Sequence, residues 1–353
     1  MKGRGARRRI TLALQGGGAH GAFTWGVLDR LLEDENLEIA GISGTSAGAL
    51  NGAALKAGLV ADGRGGDRQA AKDNLDWLWQ RVAGIGDMRL VAWFAPFAPP
   101  TGLLSDAVEK TPAYAAADMA TRVVSPYAWG PLYRNPLAPI VERFEYDRVC
   151  AETGPAFFVS ATNVRSGKIR VFEGLGISTE SILASACLPT LFQAVEVTDP
   201  ETGAREAYWD GGYTGNPALF PLYAPELPDD IVVVNINPLE RTEVPKTAQD
   251  IQNRINEISF NSSLLRELRA IAFVKRLIAE GRVEQGTMAD PRVHMIADDA
   301  LMRDLSVATK VIPTPVLLSR LKAAGRAAAD RFLAAHRDDL GVTGTVDLAA
   351  TSG

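Results

Sequence analysis

Two short runs near the amino terminus combine residue types that can carry out acyl transfer: Gly16-Gly17-Gly18-Ala19-His20-Gly21 and Gly44-Thr45-Ser46-Ala47-Gly48. The second is a G-x-S-x-G sequence. Small residues on both sides of its serine let a strand turn sharply into a helix and leave the hydroxyl at the apex. A serine hydroxyl is a weak nucleophile, so it also needs a base within reach and donors aimed at the oxyanion that forms on the attacked carbonyl. Backbone N–H groups of Gly16, Gly17, Gly18 and Gly21 are the candidate oxyanion donors, Ser46 the candidate nucleophile, and Gly44 and Gly48 the glycines of the elbow. A helix starting near Ala47 would add its N-terminal N–H groups and the positive end of its dipole.

A base is harder to find. The chain holds only three histidines, His20, His294 and His336, and none lies in a motif that demands a catalytic role. His336 falls in a charged helical pattern and reads as solvated. His294 falls in the strand-like run Arg292 to Ile296 and reads as structural, while His20 could orient a headgroup or cap a turn. A buried carboxylate can replace histidine, because desolvation raises its pKa toward that of the proton it must accept. Asp210, which follows the strand-like Ala207 to Trp209 and precedes Gly211-Gly212, is the candidate. The competing reading is an Asx-type turn at a strand end.

The first glycine run has a rival explanation. Gly16, Gly18 and Gly21 satisfy G-x-G-x-x-G between a strand and a helix, with Glu38 as the acidic residue a dinucleotide-binding site would want about 20 positions on. That reading leaves the Ser46 turn without a purpose, whereas acyl transfer uses both turns.

The elements around these runs alternate strand and helix, the rhythm of an α/β fold with a mostly parallel central sheet and helices on both faces. Strands are predicted at Ile10 to Leu14, Leu37 to Ser43, Ala156 to Thr162, Lys168 to Phe172 and Ile231 to Asn237. Helical spacing covers Phe23 to Leu32, Ala47 to Ala57, Asp67 to Val82, Leu137 to Phe144, Thr179 to Ala186, Thr247 to Glu280 and Arg320 to Arg337. Residues 84–135 lose this periodicity in favour of Pro, Gly, Ala and aromatics, and read either as a cap over the sheet or as a satellite core. As a cap, Trp93, Phe94 and Phe97 would be candidate substrate-binding residues.

At 353 residues and 46% apolar composition the chain can bury a large core. A net charge of −5 argues against a general nucleic-acid surface, although Lys2, Arg4, Arg7, Arg8 and Arg9 make the start basic. The only cysteines, Cys150 and Cys187, form neither a disulfide framework nor a zinc motif, which fits a reducing cytoplasmic setting. No run approaches the ~20 apolar residues of a membrane span, so membrane contact would be peripheral. The expected organisation is a basic tail over 1–9, a catalytic α/β region over 10–240 with the 84–135 insertion, a mainly helical extension over 241–340 packed on it, and a tail over 341–353.

Taken in order, Gly16 to Gly21, Gly44 to Gly48, Ala184-Ser185 to Pro189 and Asp210-Gly211-Gly212, extended by Asn216-Pro217, resemble the patatin-like phospholipase family. The resemblance covers about residues 10 to 240 and implies a three-layer α/β/α fold, a Ser46–Asp210 dyad, lipid acyl esters as substrates, and no metal or organic cofactor. Transfer of the acyl group to an acceptor other than water is the alternative outcome of the same chemistry. The chain departs from the family at His20, where members usually carry Arg or Lys, so a cation that fixes the loop would be missing or pH-sensitive. Beyond about residue 240 no motif suggests a role, and the helices there could pack, form an oligomer surface or face a membrane.

Overall fold

The computed structural model describes residues 7–63, 65–88, 125–199, 203–241, 243–246, 248–305, 308–311 and 313–352. Eight strands form one mixed sheet: β1 (Arg8–Leu14), β2 (Leu37–Gly44), β3 (Ala156–Asn163), β4 (Ile169–Glu173), β5 (Val195–Thr198), β6 (Arg205–Asp210), β7 (Asp230–Val234) and β8 (Arg292–Ile296). Hydrogen-bonded neighbours run β5-β6-β3-β2-β1-β7-β8, with β4 paired to β3 off that path. The pairs β3/β2, β2/β1, β1/β7 and β7/β8 are parallel, whereas β4 and β6 meet β3, and β5 meets β6, antiparallel.

Side chains alternate across a strand, and here both faces are apolar, as a sheet covered on both sides requires. Leu12, Leu14, Val232 and Val234 enter one core cluster, while Ala13, Ile231, Val233 and Val293 enter the other. The first is closed by α1 (Gly21–Leu31), α2 (Ala47–Leu59), α3 (Arg68–Met88) and α6 (Pro315–His336), through residues such as Phe23, Leu55, Leu75 and Phe332. The second is closed by α5 (Ala248–Ala279), whose Leu264, Leu268 and Ile271 recur at helical spacing. The result is the expected three-layer α/β/α arrangement. Its remaining longer helix, α4 (Thr179–Ser185), starts at a capping box formed by Ser178 and Ser181.

Several boundaries differ from the periodicity, each for a local reason. Helix α6 begins at Pro315 and not near Arg320, because Thr314 accepts the Leu317 N–H and proline fits the first helical position. Strand β7 stops at Val234: Asn235 N makes the last bond to β8, at Ile296 O, and Ile236 and Asn237 then turn their N–H groups to Gln15 Oε1. Arg8 and Arg9, expected in a tail, begin β1 and pair with Asp338 and Glu38. Residues 341–352 are likewise not a loose tail: Gly341 N donates to Asp230 Oδ1 at 2.8 Å, Thr345 N to Val293 O at 3.0 Å, and the short helix Leu348–Ser352 packs on α5. Among the described residues no helix is long and apolar enough to cross a membrane.

Helices α1 and α6 cross in backbone contact. A Cβ on Gly26 would lie 2.0 Å from Lys322 O, and one on Gly325 2.0 Å from Phe23 O. Glycine to alanine inside a helix normally gains up to ~1 kcal/mol. Gly325→Ala should do the reverse here and lose roughly 1–3 kcal/mol, because the helices must separate. Urea unfolding reads the sign, and a stabilised variant would mean the crossing is looser than described.

Candidate active site

The sheet brings the two glycine runs together before any side chain is considered. Parallel pairing of β1 with β2 sets Leu14 beside Gly44, so the Gly16–Gly21 loop and the Ser46 turn leave the same end of the sheet from neighbouring strands. Thr45 N then bonds Leu14 O at 3.2 Å. A Cβ on Gly16 would stand 2.7 Å from Ser46 Cβ, so the loop lies against the serine at a distance only glycine permits.

Ser46 is the one described residue other than glycine with positive φ (φ 54°, ψ −121°). Such backbone costs on the order of 1–3 kcal/mol and persists only when its surroundings enforce it. Here Ser46 N donates to Ser185 Oγ at 2.9 Å, Thr45 Oγ1 to Gly215 O at 2.6 Å, and Gly48 N to Thr45 O at 2.7 Å. Gly48 packs onto Leu14 O, where a Cβ would come within 2.0 Å, and Gly44 packs onto the Gly48 carbonyl. Both elbow glycines therefore sit where the backbone leaves no room.

Asp210 reaches the serine from the other side. Strand β4 pairs along Phe158–Thr162, overlapping the partners of both β2 (Ala156–Val159) and β6 (Ala161–Asn163). Strands β2 and β6 must therefore share the opposite edge of β3, running toward one another. Gly44 ends opposite Val159 and Asp210 ends opposite Ala161, two residues apart along β3, or roughly 7 Å. Gly211 packs on Ser160 O and on the Thr45 methyl, which seats the turn after Asp210 beside the elbow.

The Asp210 carboxylate is buried. Oδ1 accepts the Gly212 N–H at 2.8 Å, the Asx-type bond the sequence also suggested. Oδ2 is buried with no hydrogen-bond partner among the described residues. Burial raises the carboxyl from its ordinary 3.8 to about 7, opposed by the Gly212 N–H and by the Ser46 hydroxyl. Ser46 is thus near enough for its hydroxyl to lower the carboxyl, although no well-aligned hydrogen bond to Oδ2 is formed, a looseness common before substrate binds.

The four loop glycines differ in what they can offer. Gly16 N donates to Asn216 Oδ1 at 2.7 Å, and Gly21 N bonds Gly18 O and Ala19 O, so both are already engaged. No hydrogen bond among the described residues takes the N–H of Gly17, Gly18 or Ala19. Gly18 has φ 59° and Gly17 packs against Ile236.

None of the histidines faces Ser46 as a bonded partner. His294 Nε2 lies 3.0 Å from Asp230 Oδ1, at the opposite end of the sheet, and His336 Nδ1 lies 2.8 Å from Asp339. His20 Nε2 lies 2.7 Å from Thr309 Oγ1. Burial, with Lys310 and Arg241 adding to it, holds His20 well below 6.5, so it is neutral near pH 7 and neither a cation nor a switch there. Glu38 sits opposite Arg9 at the start of β2, roughly 20 Å along the strand from the glycine loop. A ribose-binding carboxylate would have to lie at the other end, which removes the basis for a dinucleotide site.

Sequence reasoning missed the polar groups that hold the site. Buried Gln15 Oε1 accepts from Ile236 N (2.9 Å), Asn237 N (3.1 Å) and Asn237 Nδ2 (3.2 Å), while its Nε2 donates to Asn216 O (3.2 Å). Asn237 Nδ2 also donates to Gly16 O at 2.7 Å. Gln15 carried a signal, a polar residue closing an apolar strand just before the glycines. Trp93, Phe94 and Phe97 lie outside the described residues. No group of His, Cys, Asp or Glu among the described residues is arranged to hold a metal ion.

A family model described as "Patatin-like phospholipase" matches residues 12–223, more than half of the chain and inclusive of both turns and Asp210. No curated protein sequence matches. Among solved structures, the chain is similar to VipD from Legionella pneumophila (15% identity, TM-score 0.37, covering 94% of this chain and 68% of that one). It is also similar to the ExoU–SpcU heterodimeric complex of the type III secretion system of Pseudomonas aeruginosa (19% identity, TM-score 0.28, covering 98% and 66%). Likeness at that level bears on neither mechanism nor substrate.

Buried Asp210 has a consequence for stability. With a folded pKa of about 7 against 3.8, the native chain holds this proton more tightly than the unfolded chain does. Asp210 therefore costs nothing below the lower value, and stability is lost as pH rises toward the upper one. Asp210→Asn, neutral throughout, should gain on the wild type between pH 5 and pH 8 by on the order of 1–3 kcal/mol in urea unfolding. Glu267, raised by burial to about 7 where it accepts the Leu219 and Phe220 N–H groups, titrates in both proteins and cancels. A pH-independent difference would mean a solvated carboxylate.

Proposed function

The chain belongs to the patatin-like phospholipase family, and from that premise we propose that it is a serine acyl hydrolase cleaving lipid acyl esters through a Ser46–Asp210 dyad and a covalent acyl-enzyme. The observation that carries this reading is the unpartnered, buried Asp210 Oδ2 with its carboxyl held near neutrality beside a serine in strained backbone. A base with a pKa near 7 can be ionised at rest and still accept a proton in the transition state.

Attack by Ser46 Oγ on the ester carbonyl transfers the hydroxyl proton to Asp210 Oδ2 and leaves a tetrahedral oxyanion. The N–H groups of Gly17, Gly18 and Ala19, which no described residue takes, are the donors for that charge, aided by the N-terminus of α2. Collapse expels the alcohol, which takes the proton from Asp210. Water then attacks the acyl-enzyme with Asp210 again as base, and Ser46 is regenerated. His20, His294 and His336 need play no part.

Labelling with a fluorophosphonate should modify Ser46. Ser46→Ala and Asp210→Asn should each lower kcat on the order of 10⁴-fold, with the double variant little worse than either. Wild-type kcat/KM should rise with pH and level off above about 7, because the base must be ionised. Additive losses, or label on another residue, would overturn the dyad. Product analysis with an added alcohol separates hydrolysis from acyl transfer.

Trp93, Phe94 and Phe97 are assigned to the acyl chain on composition alone. Replacing Trp93 or Phe97 by Ala should then cost more with each added methylene in p-nitrophenyl esters from butyrate to palmitate, up to about 0.8 kcal/mol per contacted CH₂. A uniform drop in kcat/KM would assign them to packing.

A further inference from the structure

The loop that holds the free N–H donors is itself held by a segment outside residues 12–223. The short helix Ala308–Val311 lies on it: a Cβ on Gly18 would stand 2.3 Å from Lys310 O, and Thr309 Oγ1 meets His20 Nε2. Lys310 Nζ turns inward and donates to Asn237 Oδ1 at 3.0 Å, and Asn237 Nδ2 donates to Gly16 O at 2.7 Å.

The direction of these bonds is fixed. An ammonium can only donate, so it compels Asn237 to present its oxygen to Lys310 and its NH₂ to Gly16. The Gly16 carbonyl and the Gly17 N–H belong to one trans peptide plane and point in opposite directions. Drawing Gly16 O toward Asn237 therefore aims the Gly17 N–H away from it, and each donated bond polarises the next. Gly17 N–H is one of the three loop N–H groups that no described residue takes, and it follows Gly16, the glycine packed on Ser46.

We propose that Lys310 is the positioning cation of the oxyanion loop, acting through Asn237 on the Gly16–Gly17 peptide, in the place of the loop cation that His20 does not supply. Lys310 touches no substrate in this role. The inference rests on Ser46 being the nucleophile. Burial, with Arg241 adding to it, lowers the Lys310 ammonium below its ordinary value; Glu257 opposes that, and is itself paired with Arg241 at 2.7 Å and Arg254 at 3.2 Å.

The test compares Lys310→Met, Lys310→Arg and Asn237→Asp by steady-state kinetics, fluorophosphonate labelling rate and melting temperature. Asn237→Asp is nearly isosteric and gains an ion pair with Lys310, but it cannot donate to Gly16 O. Its new carboxylate oxygen faces Gly16 O and Gln15 Oε1, so the melting temperature should fall somewhat despite the ion pair, while kcat per labelled site and the labelling rate fall together by 10- to 100-fold and KM stays within about twofold. Lys310→Met should show the same loss in kcat, with partial recovery in Lys310→Arg. A purely structural role would move the melting temperature alone and leave kcat per labelled site unchanged. Wild-type kcat in Asn237→Asp overturns the proposal even if Lys310→Met does not fold. Failure of the underlying reading looks different: Ser46 in the wild type would not label, and Ser46→Ala would remain active.

Discussion

A serine at φ 54° is the constraint on which the site depends, because β-carbon-bearing backbone does not stay there without being held. Each holding contact comes from a different part of the fold: Leu14 from the neighbouring strand, Ser185 from the end of α4, Gly215 from the turn after Asp210, and Gly16 from the facing loop. None can form until β1, β2, β3 and β6 are paired, so the strained turn exists only in the assembled sheet. The parallel sheet sends the tops of β1, β2 and β7 to one end, and both cores serve to keep that end rigid.

The same end of the sheet carries the electrostatic cost. Asp210 is buried, and one of its oxygens makes no hydrogen bond among the described residues. By contrast Asp230, also buried and at the opposite end, is bonded by His294, Arg292 and Gly341 and is pulled down to about 2. Two aspartates in one sheet thus stand on opposite sides of their ordinary pKa. The difference is the supply of donors, since both are out of water. The satisfied one ties the last residues of the chain to β7 and β8, and the unsatisfied one is available for chemistry.

The positions of most strands and the three candidate turns were legible in the sequence, but not the order of the strands in the sheet, because strands covered on both faces and glycine turns between strand and helix leave local signatures whereas pairing does not. Gly16 to Gly21, Ser46 and Asp210 could be picked out on that basis. What could not be read was which loop N–H groups are free, since that depends on Asn216, 200 residues from Gly16. Lys310 and Thr309 were invisible for the same reason: nothing near either says that it lies on a glycine loop almost 300 residues earlier, and only tertiary packing brings His20 and Thr309 together across 289 positions. The last dozen residues looked like a tail because their ties, such as Gly341 N to Asp230 and Thr345 to Val293 and His294, reach residues far away in the chain and leave no periodic pattern.

Strand β3 measures the distance between Ser46 and Asp210. Because β2 and β6 approach head-on along one of its edges, the gap between nucleophile and base is a count of residues on a third strand, not a property of the loops that connect them. Such a ruler has whole-residue graduations. Shifting β6 by one position would turn Asp210 to the other face of the sheet, and shifting it by two would open or close the gap by roughly 7 Å. The connections between these strands are therefore free to lengthen with no change in the spacing at the reacting atoms. Spacing of that kind is inherited unaltered by any descendant of the chain that keeps its β3 pairings, however far its loops drift.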